Sequence, residues 1–211
     1  MYNFTFNIPT KIHFGKDTIS SLSELKTYGS KVLLVYGGGY IKKNGLYDTA
    51  MKILKDAGLT VLELSGVEPN PKIETVRKGV EICKNEGIDM VLAIGGGSTI
   101  DCSKVVAAGT RYDGDVWDLV LDGSKVKAAL PIFDVLTLSA TGTEMDPFAV
   151  ISDMSKNEKW GTGSPYMVPT MSILNPEYTF SVSKKQTAAG TADMMSHTME
   201  NYFSMENADC Q

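Results

Sequence analysis

Histidine is nearly missing from this chain. Two in 211 residues, His13 and His197, cannot build a histidine cage around a metal. Cysteine is scarce too. Cys83, Cys102 and Cys210 are odd in number and lack metal-ligand spacing, which excludes a self-contained disulfide framework. Thiols kept reduced in a cytoplasm are the expectation. There is no basic run, and the net charge is -5. Nucleic acid and anionic membrane are thereby excluded as main partners. No apolar stretch is long enough to cross a bilayer. The opening, Met1 to Phe6, has neither the cationic start nor the apolar core of a signal peptide. What is present is a 43% hydrophobic composition. That suits one large domain, or one domain and the start of another.

Apolar patterning supplies the element order. Tyr2 to Ile8 alternates and reads as a strand; Lys11 to Phe14 reads as a second, after Pro9. Asp17 or Thr18 is placed to cap a short helix through Leu25. Lys31 to Tyr36, Thr60 to Leu64 and Ile88 to Ile94 read as buried strands. Between them, Leu46 to Ala57 and Ile73 to Asn85 carry helical spacing, and Thr99 to Ala108 follows as a third helix. Alternation of this kind predicts an α/β fold, a Rossmann-like parallel sheet covered on both faces. Beyond Gly109, Leu130 to Leu138, Phe148 to Ser152 and Met171 to Leu174 are strand-like, and Lys156 to Met167 reads as a hairpin or loop. From Lys185 onward the pattern is helical, with a boundary near Ser181-Val182-Ser183.

Two segments carry chemistry. Gly95-Gly96-Gly97-Ser98-Thr99 stands where a strand gives way to a helix. Glycines there let backbone N–H groups approach phosphate oxygens without a Cβ in the way, and the helix N-terminus adds its positive end. Ser98 offers a hydroxyl. The run is neither a Walker A motif nor GxGxxG, and a plain strand-to-helix turn is the competing reading. The second segment is Asp193 and His197, four apart and so on one helix face. A carboxylate with an imidazole suits Fe²⁺ or Zn²⁺, although such pairs are also common on solvated helices. Asp113, Asp115, Asp118 and Asp122 lack the full EF-hand ligand series and read as loop charge. After Tyr36 come Gly37-Gly38-Gly39 with no acid to bind a ribose 2′-OH, then Lys42 and Lys43. That leans toward NADP(H) over NAD, while Tyr40 would crowd a 2′-phosphate.

Three co-linear stretches extend this reading. They are Gly95 to Lys104 (Gly-Gly-Gly-Ser-x-x-Asp-x-x-Lys), Leu138 to Met145 (LSATGTEM) and Thr187 to His197 (TAAGTADMMSH). With Tyr36 to Gly39 and Gly66 to Pro71, they resemble the iron-containing (group III) alcohol dehydrogenases, and among them the butanol dehydrogenases. The resemblance runs along essentially the whole chain. It implies that Gly95, Gly96, Gly97 and Ser98 hold a cofactor pyrophosphate, with Gly38 and Asp101 close by. Thr137, Ser139 and Thr141 would line the nucleotide and nicotinamide site. Lys159 would reach the cofactor from a loop, and Asn70 and Tyr178 would flank adenosine and ribose. Asp193 and His197 match the first two ligands of a divalent metal, Fe²⁺ or Zn²⁺.

The implied reaction is NAD(P)H-dependent interconversion of an aldehyde and a primary alcohol. The family draws two more histidine ligands from a helical C-terminal domain, which His13 in its strand cannot replace. Residues 1–182 are therefore expected to be the dinucleotide-binding domain, and 183–211 the first helix of an all-helical domain that is mostly missing. A fragment inactive alone is the expectation. A homodimer through the N-terminal strand is expected as well. Rival readings are a glycerol-dehydrogenase-like polyol oxidoreductase and a non-catalytic nucleotide-binding fragment.

Overall fold

The computed structural model of the chain describes residues 5 and 7–203. Eight strands and six α-helices follow in order among them. The strands are β1 (Lys11–Phe14), β2 (Lys31–Tyr36), β3 (Thr60–Ser65), β4 (Met90–Gly96), β5 (Ile132–Leu138), β6 (Phe148–Asp153), β7 (Glu158–Gly163) and β8 (Met171–Leu174). The helices are α1 (Tyr40–Lys43), α2 (Leu46–Asp56), α3 (Ile73–Glu86), α4 (Gly97–Thr110), α5 (Trp117–Leu121) and α6 (Lys184–Phe203). Six strands form one parallel sheet in the order β1-β8-β5-β4-β2-β3. β6 and β7 pair separately as the hairpin expected around Lys156. The expected strand from Tyr2 to Ile8 lies largely outside the described residues, as does Cys210.

Both sheet faces are covered, so the central strands are apolar on both sides. Leu33, Val35 and Val91 point to the face packed by α3 and α4. Val32, Leu34, Tyr36 and Leu92 point to the other, under α2 and a 3₁₀ segment, Thr18–Thr27. That segment departs from the expected capped helix. Asp17 adopts φ 60° and makes no side-chain cap; the Thr18 hydroxyl donates to the Gly15 carbonyl instead. A left-handed residue turns the chain where a cap would have needed extended backbone. Gly79 is required by packing. A Cβ there would lie 2.7 Å from Val106 of α4, so glycine permits α3 and α4 to approach.

Among the buried polar side chains, Asp134 is unusual. Asp134 of β5 is 1% exposed. Ser172 Oγ of β8 lies 2.6 Å from Asp134 Oδ2 and 2.7 Å from the Glu144 carbonyl oxygen. A hydroxyl has one hydrogen and a carbonyl can only accept. The second hydrogen therefore belongs to Asp134, which is a neutral acid. Burial pushes its pKa well above the ordinary value, and the charge of Glu144 adds to the rise. The unfolded chain releases this proton at about pH 3.9. Above that pH the folded state holds one proton more, so this residue's contribution to stability falls as pH rises. Asp134→Asn should remove that slope. Its stability relative to the parent should improve as the pH rises above the ordinary carboxylate range, measured by urea unfolding. A difference that does not change with pH would show Asp134 ionised.

Candidate functional site

The crevice arises from topology. From the end of β2 the chain leaves toward α2 on one face, and from the end of β4 it leaves into α4 on the other. β2 and β4 are neighbours, so a gap opens beyond their carboxyl ends, the ligand position of doubly wound sheets. Both ends are glycine turns. Gly37, Gly38, Gly39, Gly95 and Gly96 line a cavity of about 160 Å³ with Tyr40, Thr99 and Thr137. Thr137 arrives there through a bulge. Gly95 pairs with Leu136 and Gly96 with Leu138, leaving Thr137 as the extra residue. A bulge re-aims the side chain it carries.

α4 starts at Gly97, two residues earlier than its apolar spacing indicates. Glycines read as loop; here they form the first turn. Gly97 and Ser98 therefore present a helix N-terminus to the crevice. The Ser98 hydroxyl oxygen accepts the Asn70 backbone N–H at 3.3 Å. Lys159 Nζ donates to Asn70 Oδ1 at 2.8 Å. Lys159 sits on β7 instead of a loop, so the hairpin brings this cation to Asn70, which in turn bonds Ser98 at the helix N-terminus. A Cβ placed on Gly97 would meet Thr143 Cγ2 at 3.6 Å and Thr141 Oγ1 at 3.9 Å. Thr141 thus stands over the first turn, and the space between is left open by glycine. The geometry fits an anionic phosphate group.

Other predicted residues lie elsewhere. Asp101 is committed to protein partners. Its Oδ1 accepts the Thr143 hydroxyl at 2.7 Å and its Oδ2 the Val150 N–H at 3.0 Å. Burial raises its pKa against those two donors. Ser139 lines a larger cleft, about 550 Å³, between the end of β5 and α6, whose walls include Leu138, Thr179, Gly190, Asp193 and Met194. Tyr178, in the Pro176–Thr179 turn, packs against the apolar cluster under α2 and lines neither cavity. Burial raises the pKa of its phenol.

Asp193 and His197 face each other on α6, Oδ1 to Nε2 3.6 Å, both more than half exposed. No third His, Cys, Asp or Glu joins them among the described residues. His13 instead bonds Ser21 Oγ at 3.1 Å through Nδ1. Sequence reading missed the role of Lys104, a fully buried lysine on α4. Its signal was a lysine directly before the apolar run Val105 to Ala108.

Two glycine turns at a switch point, one opening a helix and flanked by a tethered lysine, define a doubly wound α/β protein with a nucleotide-type crevice. The chain belongs to the iron-containing alcohol dehydrogenase family, whose model matches residues 9–176. It is 62% identical over 205 residues to NADH-dependent butanol dehydrogenase A of Clostridium acetobutylicum, covering 97% of this chain and 53% of that protein. It is 39% identical over 205 residues to the NADPH-dependent aldehyde reductase YqhD of Escherichia coli, covering 96% and 52%. The crystal structure of NADH-dependent butanol dehydrogenase A from Thermotoga maritima superposes with a TM-score of 0.92 at 48% identity, covering 96% of this chain and 52% of that one. The chain spans about half the length of the curated relatives it matches.

Proposed function

We propose that residues 1–182 bind the cofactor of an NAD(P)H-dependent alcohol dehydrogenase or aldehyde reductase acting on primary alcohols and aldehydes, with 183–211 beginning a helical domain. The observation that carries this is the meeting of both glycine turns with Ser98, Asn70 and Lys159 at one helix N-terminus. In this reading the backbone N–H groups at Gly96 to Ser98 hold the pyrophosphate, and Lys159 balances its charge. Gly38 and Thr137 border the nucleotide, while Ser139 and Thr141 lie toward the α6 cleft. A bound nicotinamide would supply hydride chemistry. The protein's part is to fix the phosphates and orient the ring, which lowers the entropic cost of reaction. Asp193 and His197 supply two donors toward Fe²⁺ or Zn²⁺, short of the roughly three protein ligands of a catalytic site.

The cofactor we propose is NADH. Two relatives support it: those at 62% and 59% identity are NADH-dependent butanol dehydrogenases. So does a local charge cluster that the sequence does not reveal. Lys42 Nζ is 3.5 Å from Glu63 Oε2 and lies over the rings of Tyr36 and Tyr47. The Tyr36 and Tyr47 hydroxyls donate to the two Glu63 oxygens, at 2.5 and 2.6 Å. Burial pushes Glu63 upward, but the two phenols and Lys42 outweigh it and hold the carboxyl below its usual range. Lys42 is thus engaged on a carboxylate at the foot of the first glycine turn, and Tyr40 lines the crevice.

Calorimetry of the chain with NADH and NADPH is the test. NADH should bind more tightly, and Glu63→Gln should raise the NADPH-to-NADH affinity ratio at least about fivefold by freeing Lys42, roughly 1 kcal/mol. Absence of binding by either cofactor would sink the functional reading; an unchanged ratio would sink the role of Lys42. A homodimer belongs to the same proposal. The strand expected from Tyr2 to Ile8 would mediate it, next to β1, which among the described residues is an edge of the sheet; such edges invite pairing. Light scattering of a chain starting at Thr10 would detect loss of the dimer.

A further inference from the structure

We infer that Lys104, Thr143 and Asp101 form a positioning device that sets the roof of the glycine cradle. Lys104 lies on α4 with no exposed surface. Its ammonium is within donating distance of Thr143 Oγ1 (2.8 Å), the Asp146 carbonyl (2.8 Å), Asp146 Oδ1 (2.9 Å) and the Phe148 carbonyl (2.8 Å), so its three hydrogens serve four acceptors, with one hydrogen shared. The acceptors lie in the segment that follows β5 and at the first residue of β6. Thr143 takes one hydrogen from Lys104 and gives its own to Asp101 Oδ1, also on α4. Asp101 Oδ2 then holds the Val150 N–H at the start of the hairpin. Burying an ammonium is costly unless its hydrogens are met by acceptors. Here that demand pins one loop at several points to one helix.

The loop so pinned also carries Thr141. Thr143 faces two ways. Its hydroxyl lies between Lys104 and Asp101, and its methyl is 3.6 Å from the Cβ position of Gly97. Thr141 Oγ1 is 3.9 Å from that same position. The height of Thr141 above the first turn of α4 is therefore set from below by a buried charge. A strut for the core would affect stability alone. A positioning device affects the cradle at unchanged fold, and the two separate experimentally. This inference rests on the reading that the cradle takes a dinucleotide.

The experiment compares Thr143→Val, which keeps the methyl and loses the hydroxyl, with Thr143→Ser, which keeps the hydroxyl. NADH affinity is measured by calorimetry, backbone hydrogen exchange at 97–99 and 139–142 by mass spectrometry, and folding by circular dichroism. Thr143→Val should weaken NADH binding at least about tenfold and speed exchange at 139–142, with unchanged circular dichroism. Thr143→Ser should stay within about threefold of the parent in both. Parent-like affinity in Thr143→Val would overturn the inference, even if its unfolding temperature drops. Should the parent bind no NADH, the cofactor reading fails, and the exchange data decide alone: unchanged exchange at 139–142 in Thr143→Val overturns the inference, while faster exchange restored by serine upholds it.

Discussion

Gly97→Val abolishes cofactor binding, with at least about a hundredfold loss of NADH affinity, and leaves the fold standing. The three glycines of the loop are not equivalent. A Cβ on Gly95 would lie 2.5 Å from Thr99 Oγ1, so substitution there distorts the core. A Cβ on Gly96 would press on Leu138 at 3.2 Å. At Gly97 the neighbours begin at 3.6 Å, ordinary contact distance. Its backbone also lies in the first turn of a right-handed helix, which valine can adopt at modest cost. The branched side chain would enter the open space between the first turn and Thr141, where phosphate is proposed to sit. Losing one such cradle forfeits several charge-assisted hydrogen bonds, each stronger than a neutral one; together they exceed the ~2.7 kcal/mol that a hundredfold requires. Calorimetry beside thermal unfolding checks it. A variant that binds NADH normally would place the phosphates elsewhere.

A polypeptide of these 211 residues should hold Fe²⁺ or Zn²⁺ only weakly, with a dissociation constant above about 10 μM, and should reduce butanal below about 1% of the kcat/KM of a full-length relative such as butanol dehydrogenase A of Clostridium acetobutylicum. Among the described residues the metal donors are Asp193 and His197, both open to water. Two ligands leave most coordination to solvent, whereas structural and catalytic sites use three or four. The cleft beside them is open, with Met194 49% and Met195 58% exposed. An open cleft neither excludes water nor restrains a small aldehyde against the nicotinamide. Metal titration followed by NADH oxidation is the measurement. Rates matching the relative would mean that further donors reach the metal, for instance from a second copy.

The sheet was legible because its central strands are long apolar runs. Lys31 to Tyr36 and Met90 to Ile94 admit no other placement than a strand buried on both faces. The glycine cradle was legible for a related reason: Gly95 to Gly97 interrupts such a run where a helix begins. Strand order was not legible. It depends on which faces α2, α3 and α4 cover, which is settled by packing across the whole domain. Short α1 escaped notice because four residues show no periodicity. The engagement of Lys42 with Glu63 escaped for a different reason. Its partners come from three separate elements, β2, α2 and β3, and local spacing says nothing about contacts of that kind. Lys104 and Asp134 were hidden by the strongest habit of all, that charged residues sit outside. Asp17 misled through residue type: aspartate suits an N-cap, yet it also tolerates the left-handed conformation found here.

Among the described residues β1 pairs only with β8, Lys11 with Met171 through Phe14 with Leu174. The first of the described strands thus joins the sheet through the last of them, and its docking must wait until the other five strands of that sheet exist. Contacts of such sequence separation are the slow ones to form, because chain closure is paid before any pairing is gained. The β2-β3-β4 half has no such delay, since its strands follow one another closely in sequence. The order of assembly is therefore written into the topology: the glycine-turn half can form early on the growing chain, while the N-terminal strand remains an unpaired edge, open to misassembly, until residues 171–174 arrive.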